Sequence, residues 1–215
     1  LDEILTTNNP LEVSLSGVSG YVAQYEATGE CILPAIISED VTLTADCSPY
    51  LASGTSVVEA GATLMIEPGV EIWFPTDAQL LVQGSLLAEG TAESPIAFRL
   101  NPIEEGPWGN IQFDAADGDN FIRHAEVEGA SRGEHPVHDR AAVAAWFSSV
   151  TLDHVTLISN ASNPVYAEHS DIQLVNCMLH SDITGDLINV RHGSAVIDSC
   201  VFEGNDAPDT DAIDY

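Results

Sequence analysis

Apolar and polar residues alternate along the last third of the chain in a pattern that repeats. Residues 149–157, 171–179 and 194–202 align without gaps. Their apolar positions fall into columns: Val150/Ile172/Ala195, Leu152/Leu174/Ile197, Val155/Cys177/Cys200 and Leu157/Leu179/Phe202. The steps between units are 22 and then 23 residues. Alternation at every second residue is the periodicity of a strand with one buried face, not of a helix. It breaks once, between Leu152 and Val155, where a corner is expected. A repeat of this length, made of short strands and corners, predicts a solenoid whose coils bury their inner faces only against one another. Val143/Val165/Ile188/Ile213 and Ala145/Ala167/Val190/Tyr215 continue the inward columns on a further strand. About seven coils result, a rod of about 35 Å at strand spacing.

The first half carries the same alternation in a different idiom. Ser48-Pro49-Tyr50 leads into Ile66-Glu67-Pro68-Gly69-Val70, with Pro68-Gly69 as a corner. Gly84-Ser85-Leu86, Ala88-Glu89-Gly90-Thr91, Pro95-Ile96-Ala97-Phe98 and Trp108-Gly109-Asn110-Ile111 come after it. This series resembles the right-handed parallel β-helix repeat proteins found in secreted and surface-exposed bacterial multidomain proteins. The resemblance spans roughly residues 40–215 and implies an all-β fold, a right-handed coil and three sheets per coil. It names an architecture that many functions share, so it implies no activity. Residues 1–39 lie outside the repeat and are expected to be an N-terminal cap or the end of a preceding domain. Residues 40–215 are expected to form the parallel β-helix, in a chain that starts as a mature or excised piece and continues beyond Tyr215.

Charge then narrows the partners. Thirty-four Asp and Glu stand against five basic residues, Arg99, Arg123, Arg132, Arg140 and Arg191, for a formal net charge of −29. Hydrophobic residues still make up 45% of the chain, enough for a core, so acidity here does not mean disorder. A surface of this sign repels phosphate backbones, which argues against nucleic acid and anionic membranes. It suits a salt-rich, marine or calcium-containing exterior that screens self-repulsion, and it serves equally as a solubility device. No apolar run approaches the roughly 20 residues needed to cross a bilayer as a helix, so no membrane insertion is expected. Cys31 and Cys47 bracket one short loop and are expected to form a disulfide in an oxidising, extracellular or cell-surface setting. Cys177 and Cys200 share an inward column on adjacent coils; buried thiols are the simpler reading, with a bond between them left open.

Candidate chemistry sits on outward columns. Gln112, Ala144, Tyr166, Asn189 and Asp214 form one; Asp114, Trp146, Glu168 and Arg191 form its neighbour. Gln112, Asp114, Trp146, Tyr166, Glu168, Asn189 and Arg191 together offer aromatic faces and planar polar groups, the mixture that binds sugars. The same residues read equally as an ordinary solvated face with a weak Glu168–Arg191 pair. Arg191, Glu168 and Asp214 form the one cluster with catalytic potential, since a lyase needs a base beside a cation. The acidic turn Asp114, Asp117, Asp119 and Asn120 is a Ca²⁺ candidate without the spacing of an EF-hand. Asn205, Asp206, Asp209 and Asp211 make a second acidic turn. His135, His138 and Asp139 could bind a transition metal, though no further loop ligand completes the set. His124 and His154 share a corner column with Asn176 and Ser199, and His169 and His192 stack one corner away.

The sequence thus supports a non-catalytic extracellular β-helix module for adhesion, glycan binding or rigid display. Two alternatives stand beside it: a polysaccharide-active lyase or hydrolase, and a self-associating filament or surface-layer subunit that an open terminal coil would template.

Overall fold

The computed structural model describes residues 4–5, 11–14, 22–25, 31–134, 141–158, 160–161, 163–181, 185–204 and 211–215. The chain divides into two compact units, Leu1–Glu30 and Cys31–Tyr215. In the first, Ile4–Leu5, Leu11–Ser14 and Val22–Tyr25 pair antiparallel as a small three-stranded sheet.

The second unit is nearly all-β, and its described pairings are parallel. Eight strands form one sheet, running from Ile36–Ile37 through Ser56–Val58, Leu80–Val82 and Ile111–Asp114 to Ala141–Trp146, Asn163–Glu168, Ile188–Arg191 and Ile213–Asp214. Thirteen strands form the other. Neighbours in each sheet are one repeat apart in sequence, so stacked parallel sheets of short strands fit a parallel β-helix-like solenoid. The sequence columns are the structural register. Leu152 pairs with Leu174, and Leu174 with Ile197. Val143, Val165, Ile188 and Ile213 stack in the same way.

The two sheets enclose one continuous apolar core. Leu43, Ile66, Ala88, Ile122, Leu152 and Leu174 form an unbroken buried column. Each fully buried side chain of this size contributes about 1.5–3 kcal/mol relative to exposure. The column weakens at its C-terminal end, where Ala195, Ile197, Cys200 and Phe202 are only partly buried.

The thirteen-stranded sheet is two ladders of short strands joined by the long strands Asn120–Glu128 and Ser149–Ile158, so with the eight-stranded sheet each coil contributes to three parallel ladders. The corner between the strands within Asn120–Glu128 and Ser149–Ile158 consumes one residue, so pairing continues on both sides of it. That residue takes a left-handed conformation: φ is 43° at His124, 55° at His154, 52° at Asn176 and 55° at Ser199. A non-glycine residue held there costs on the order of 1–3 kcal/mol. Stacking offsets part of this, with the rings of His124 and His154 centred 4.5 Å apart. A second left-handed column, Ala115, Phe147, His169 and His192, marks the corner leaving the eight-stranded sheet.

Trp108-Gly109-Asn110 closes a coil. Trp108 is fully buried, stacks on Phe74 at 4.6 Å and donates from Nε1 to the Glu128 carbonyl at 2.7 Å. A Cβ on Gly109 would lie 2.6 Å from the Ala78 carbonyl oxygen, so only glycine fits. Asn110 accepts from Gln79 Nε2 at 2.8 Å and donates to the Ala141 carbonyl at 3.0 Å, which ties three successive coils together.

Candidate functional site

The outward columns chosen from sequence hold their register but not their exposure. Gln112, Ala144, Tyr166, Asn189 and Asp214 pair in series, as do Asp114, Trp146, Glu168 and Arg191. Yet Gln112 and Tyr166 are each 2% exposed, and Asn189 is buried. Tyr166 packs on Ala141 and Ala144 as a second small core and donates to Glu168 Oε2 at 2.8 Å. Asn189 donates from Nδ2 to Asp186 and to Asp214, at 3.1 and 3.0 Å. Asp114, Trp146 and Glu168 are half-buried, while Arg191 is exposed. A flat, solvent-facing ligand face is therefore corrected. Beyond Ala130, Ser131 donates to the Gly109 carbonyl and the Glu134 amide to Gln79 Oε1. Of the candidate catalytic trio, Glu168 and Arg191 pair in register, and Asp214 accepts from Asn189.

The open ground lies one corner further round. The turn 114–120 leaves the strand Ile111–Asp114 through Ala115, whose φ is 50°. It is pinned from below. Ala115 donates to the Trp146 carbonyl, Ala116 to Ser148 Oγ and Asp117 to the Gln83 carbonyl, at 2.8, 3.0 and 3.1 Å. The amide oxygen of Asn120 is spent on the Leu86 backbone N–H at 2.9 Å, and its Nδ2 on the Gly118 carbonyl. That buried asparagine fills an inward column where the pairing strands diverge, so it is not available to a cation. The side chains of Asp117 and Asp119 face solvent.

Under this turn two open depressions of about 420 and about 630 Å³ adjoin, sharing Gly118, Asp119, Ser149 and Asp171. The floor of the first is an outward column in register: Phe121, Thr151, Gln173 and Val196. Beside it run Ser149, Asp171 and Ser194, with Ser194 donating to Asp171 Oδ1. Asp117, Phe147 and His169 line the second. Phe147 is 54% exposed, its ring centred 4.6 Å from His169, which stands 5.0 Å from His192. These steps equal the strand spacing, so the corner carries a ladder of parallel rings. It stops at Phe147, because the next position up the column is Ala115. Trp146 meets Phe147 edge-on at 4.8 Å.

The cation in the cleft is already matched. Arg123 lies 4.5 Å over the Phe121 ring and pairs with Glu89 at 3.2 Å and Asp153 at 4.0 Å. Carboxylates of Asp117, Asp119 and Asp171 outnumber it, so the cleft carries net negative charge.

Among the described residues no three His, Cys, Asp or Glu side chains converge to hold a metal ion. Asp114, Asp117 and Asp119 stay apart because the turn is held by its backbone, and Asp114 accepts from Gln83 Nε2 at 3.4 Å. His135, His138, Asp139, Asn205, Asp206 and Asp209 lie outside the described residues; Asp211 is exposed. Cys31 and Cys47 form a disulfide across 16 residues. Cys177 and Cys200 are free thiols. Burial pushes the Cys177 thiol up from 9.0 to about 11.

Sequence reasoning missed Phe121, Phe147, Ser149, Thr151, Asp171 and Gln173. The signal was present, because the same repeat that aligns the core columns also aligns 149/171/194 and 151/173/196 between them. What was missing was a reason to prefer that face.

No protein-family model matches the chain. A 63-residue segment is 40% identical to part of Protein bark beetle of Drosophila melanogaster, covering 29% of this chain and 2% of that protein. The chain thus matches only about 2% of that relative's length. A solved structure from Parabacteroides merdae, provisionally assigned as a glycosyl hydrolase, covers 77% of this chain and 81% of its own at 11% identity and a TM-score of 0.42. At that score the likeness carries nothing about fold or activity. Neither likeness favours a non-catalytic module over an enzyme. No helix of the described residues is long and apolar enough to cross a membrane.

Proposed function

We propose that residues 40–215 form a glycan-engaging module of a larger secreted or cell-surface protein, built as a right-handed parallel β-helix of about seven coils. The observation that carries the functional part is the open cleft beside Phe147 and His169. It joins an exposed ring face to hydroxyl, amide and carboxylate side chains on a rigid floor. Ring faces take the C–H side of a pyranose, and planar polar groups take its hydroxyls. The handedness rests on the strong preference of parallel crossovers, and the coil number on the ladder of eight strands in register from Ile36–Ile37 to Ile213–Asp214. The Cys31–Cys47 disulfide supports an oxidising compartment. A glycan array tests the reading. Retention should be lost in Phe147→Ala with the melting temperature unchanged, and an array on which the wild-type chain retains nothing removes the reading.

Catalysis is the second reading. Its support is that Asp117, Asp119 and Asp171 line one cleft, as glycoside hydrolysis needs two carboxylates flanking the bond. Incubation with the retained glycan should then release reducing ends, and Asp171→Asn should slow that release at least about 100-fold.

A further inference from the structure

The ladder and the charge of the cleft together define a narrower ligand class than glycans at large. Three parallel rings, Phe147, His169 and His192, climb the corner at steps of 4.6 and 5.0 Å and end at Ala115, where no ring continues them. The exposed end ring, Phe147, borders a depression of about 630 Å³. The turn bearing Asp117 and Asp119 overhangs the same depression, and Asp171 closes its other side. A group stacked on Phe147 would therefore meet an aromatic face and carboxylates at once, the combination that recognises a cation.

An anionic ligand meets the opposite situation. Arg123 is the one arginine among the described residues lining the cleft, and Glu89 and Asp153 already match its charge. The whole chain carries 34 acidic residues and no lysine. A uronate or sulfated sugar would bring its charge into a field of the same sign without a free counter-charge.

We propose that this cleft selects sugars bearing free, protonated amines, a polymer of 2-amino-2-deoxy pyranoses, with one ring stacked on Phe147 and its ammonium held by Asp117 and Asp119. The inference rests on the glycan reading above. A basic peptide shares the charge but not the rest. The floor of Phe121, Thr151, Gln173 and Val196, with Ser149 beside it, is shallow and mixes apolar faces with hydroxyl and amide groups, as a sugar ring does, and offers no deep slot for a long side chain.

Titration calorimetry on the full chain decides the matter, using four oligomers: free-amine glucosamine, its fully N-acetylated form, neutral β-linked glucose and polygalacturonate. The free-amine oligomer should bind about tenfold or more tightly than its N-acetylated form, and the advantage should shrink as salt rises. The double variant Asp117→Asn, Asp119→Asn should erase that advantage while leaving the melting temperature in place, and Phe147→Ala should weaken the acetylated and free forms alike. Equal binding of acetylated and free-amine oligomers overturns the proposal and leaves the glycan reading standing. Preferential binding of polygalacturonate overturns the charge argument. An oligolysine that binds as tightly and competes for the cleft shows a peptide site and overturns it too. Binding of no oligosaccharide removes both this proposal and the glycan reading beneath it.

Discussion

Two outer faces of this solenoid meet at the corner of Phe147, His169 and His192, and they behave oppositely. On the eight-stranded sheet, outward Gln112, Tyr166 and Asn189 are buried. On the next face, outward Thr151 is half-buried, Gln173 is exposed and a cleft runs between them and the acidic turn. Both faces carry polar or aromatic residues at several outward positions. The difference lies in what the outward side chains meet: Tyr166 packs on Ala141 and Ala144 and Asn189 bonds Asp186 and Asp214, whereas the turn 114–120 is short and pinned at its base, so it overhangs the second face without covering it. In a solenoid, pointing outward and facing water are separate properties.

Four perturbations probe that contrast. The largest effect separates both outer faces from the inward columns. Leu174→Asp places an unpaired charge in the continuous core at a fully buried position, and should cost more than about 4 kcal/mol. Loss of the cooperative β-type circular dichroism transition is the measurement; a folded variant would mean the column is not a shared core.

Tyr166→Ala comes next. An outward residue on a solvated face would tolerate this change, but Tyr166 packs on Ala141 and Ala144 and bonds Glu168. It should cost about 3–5 kcal/mol in denaturant unfolding. A loss below about 1 kcal/mol would return this face to solvent.

Cys177 reports how dry the interior is. Its thiol is raised by burial to about 11 in the folded chain, against 9.0 in the unfolded one. Between these values the unfolded state has released the proton and the folded state retains it, so stability falls as pH rises through this window and is level below it. The difference is on the order of 2–3 kcal/mol. Comparing melting temperatures of wild type and Cys177→Ala from pH 8 to 11 isolates it, and parallel curves would show a wet site.

The smallest effect belongs to Phe147→Ala. An exposed ring at a corner supports little core, so stability should change by less than about 1 kcal/mol. A loss comparable to that of Tyr166→Ala would make the ring ladder a structural brace rather than a ligand platform.

Register was legible in the residues alone. Val150/Ile172/Ala195 and Leu152/Leu174/Ile197 could be read directly, because a buried strand face demands an apolar residue at every second position and stacking demands it again one coil later. The corner columns 124/154/176/199 and 169/192 were legible for the same reason, though not their left-handed backbone, which histidine does not announce as glycine would. Exposure of the outward columns, by contrast, emerged only from the packed fold. Whether Tyr166 meets water depends on its packing against Ala141 and Ala144 of the neighbouring strand, which its own local alternation does not encode. The fate of Asn120 was settled in the same way. As one member of an acidic turn it offers an oxygen to a cation, but in the fold that oxygen is committed to the Leu86 backbone N–H, since a buried amide cannot be left without a partner.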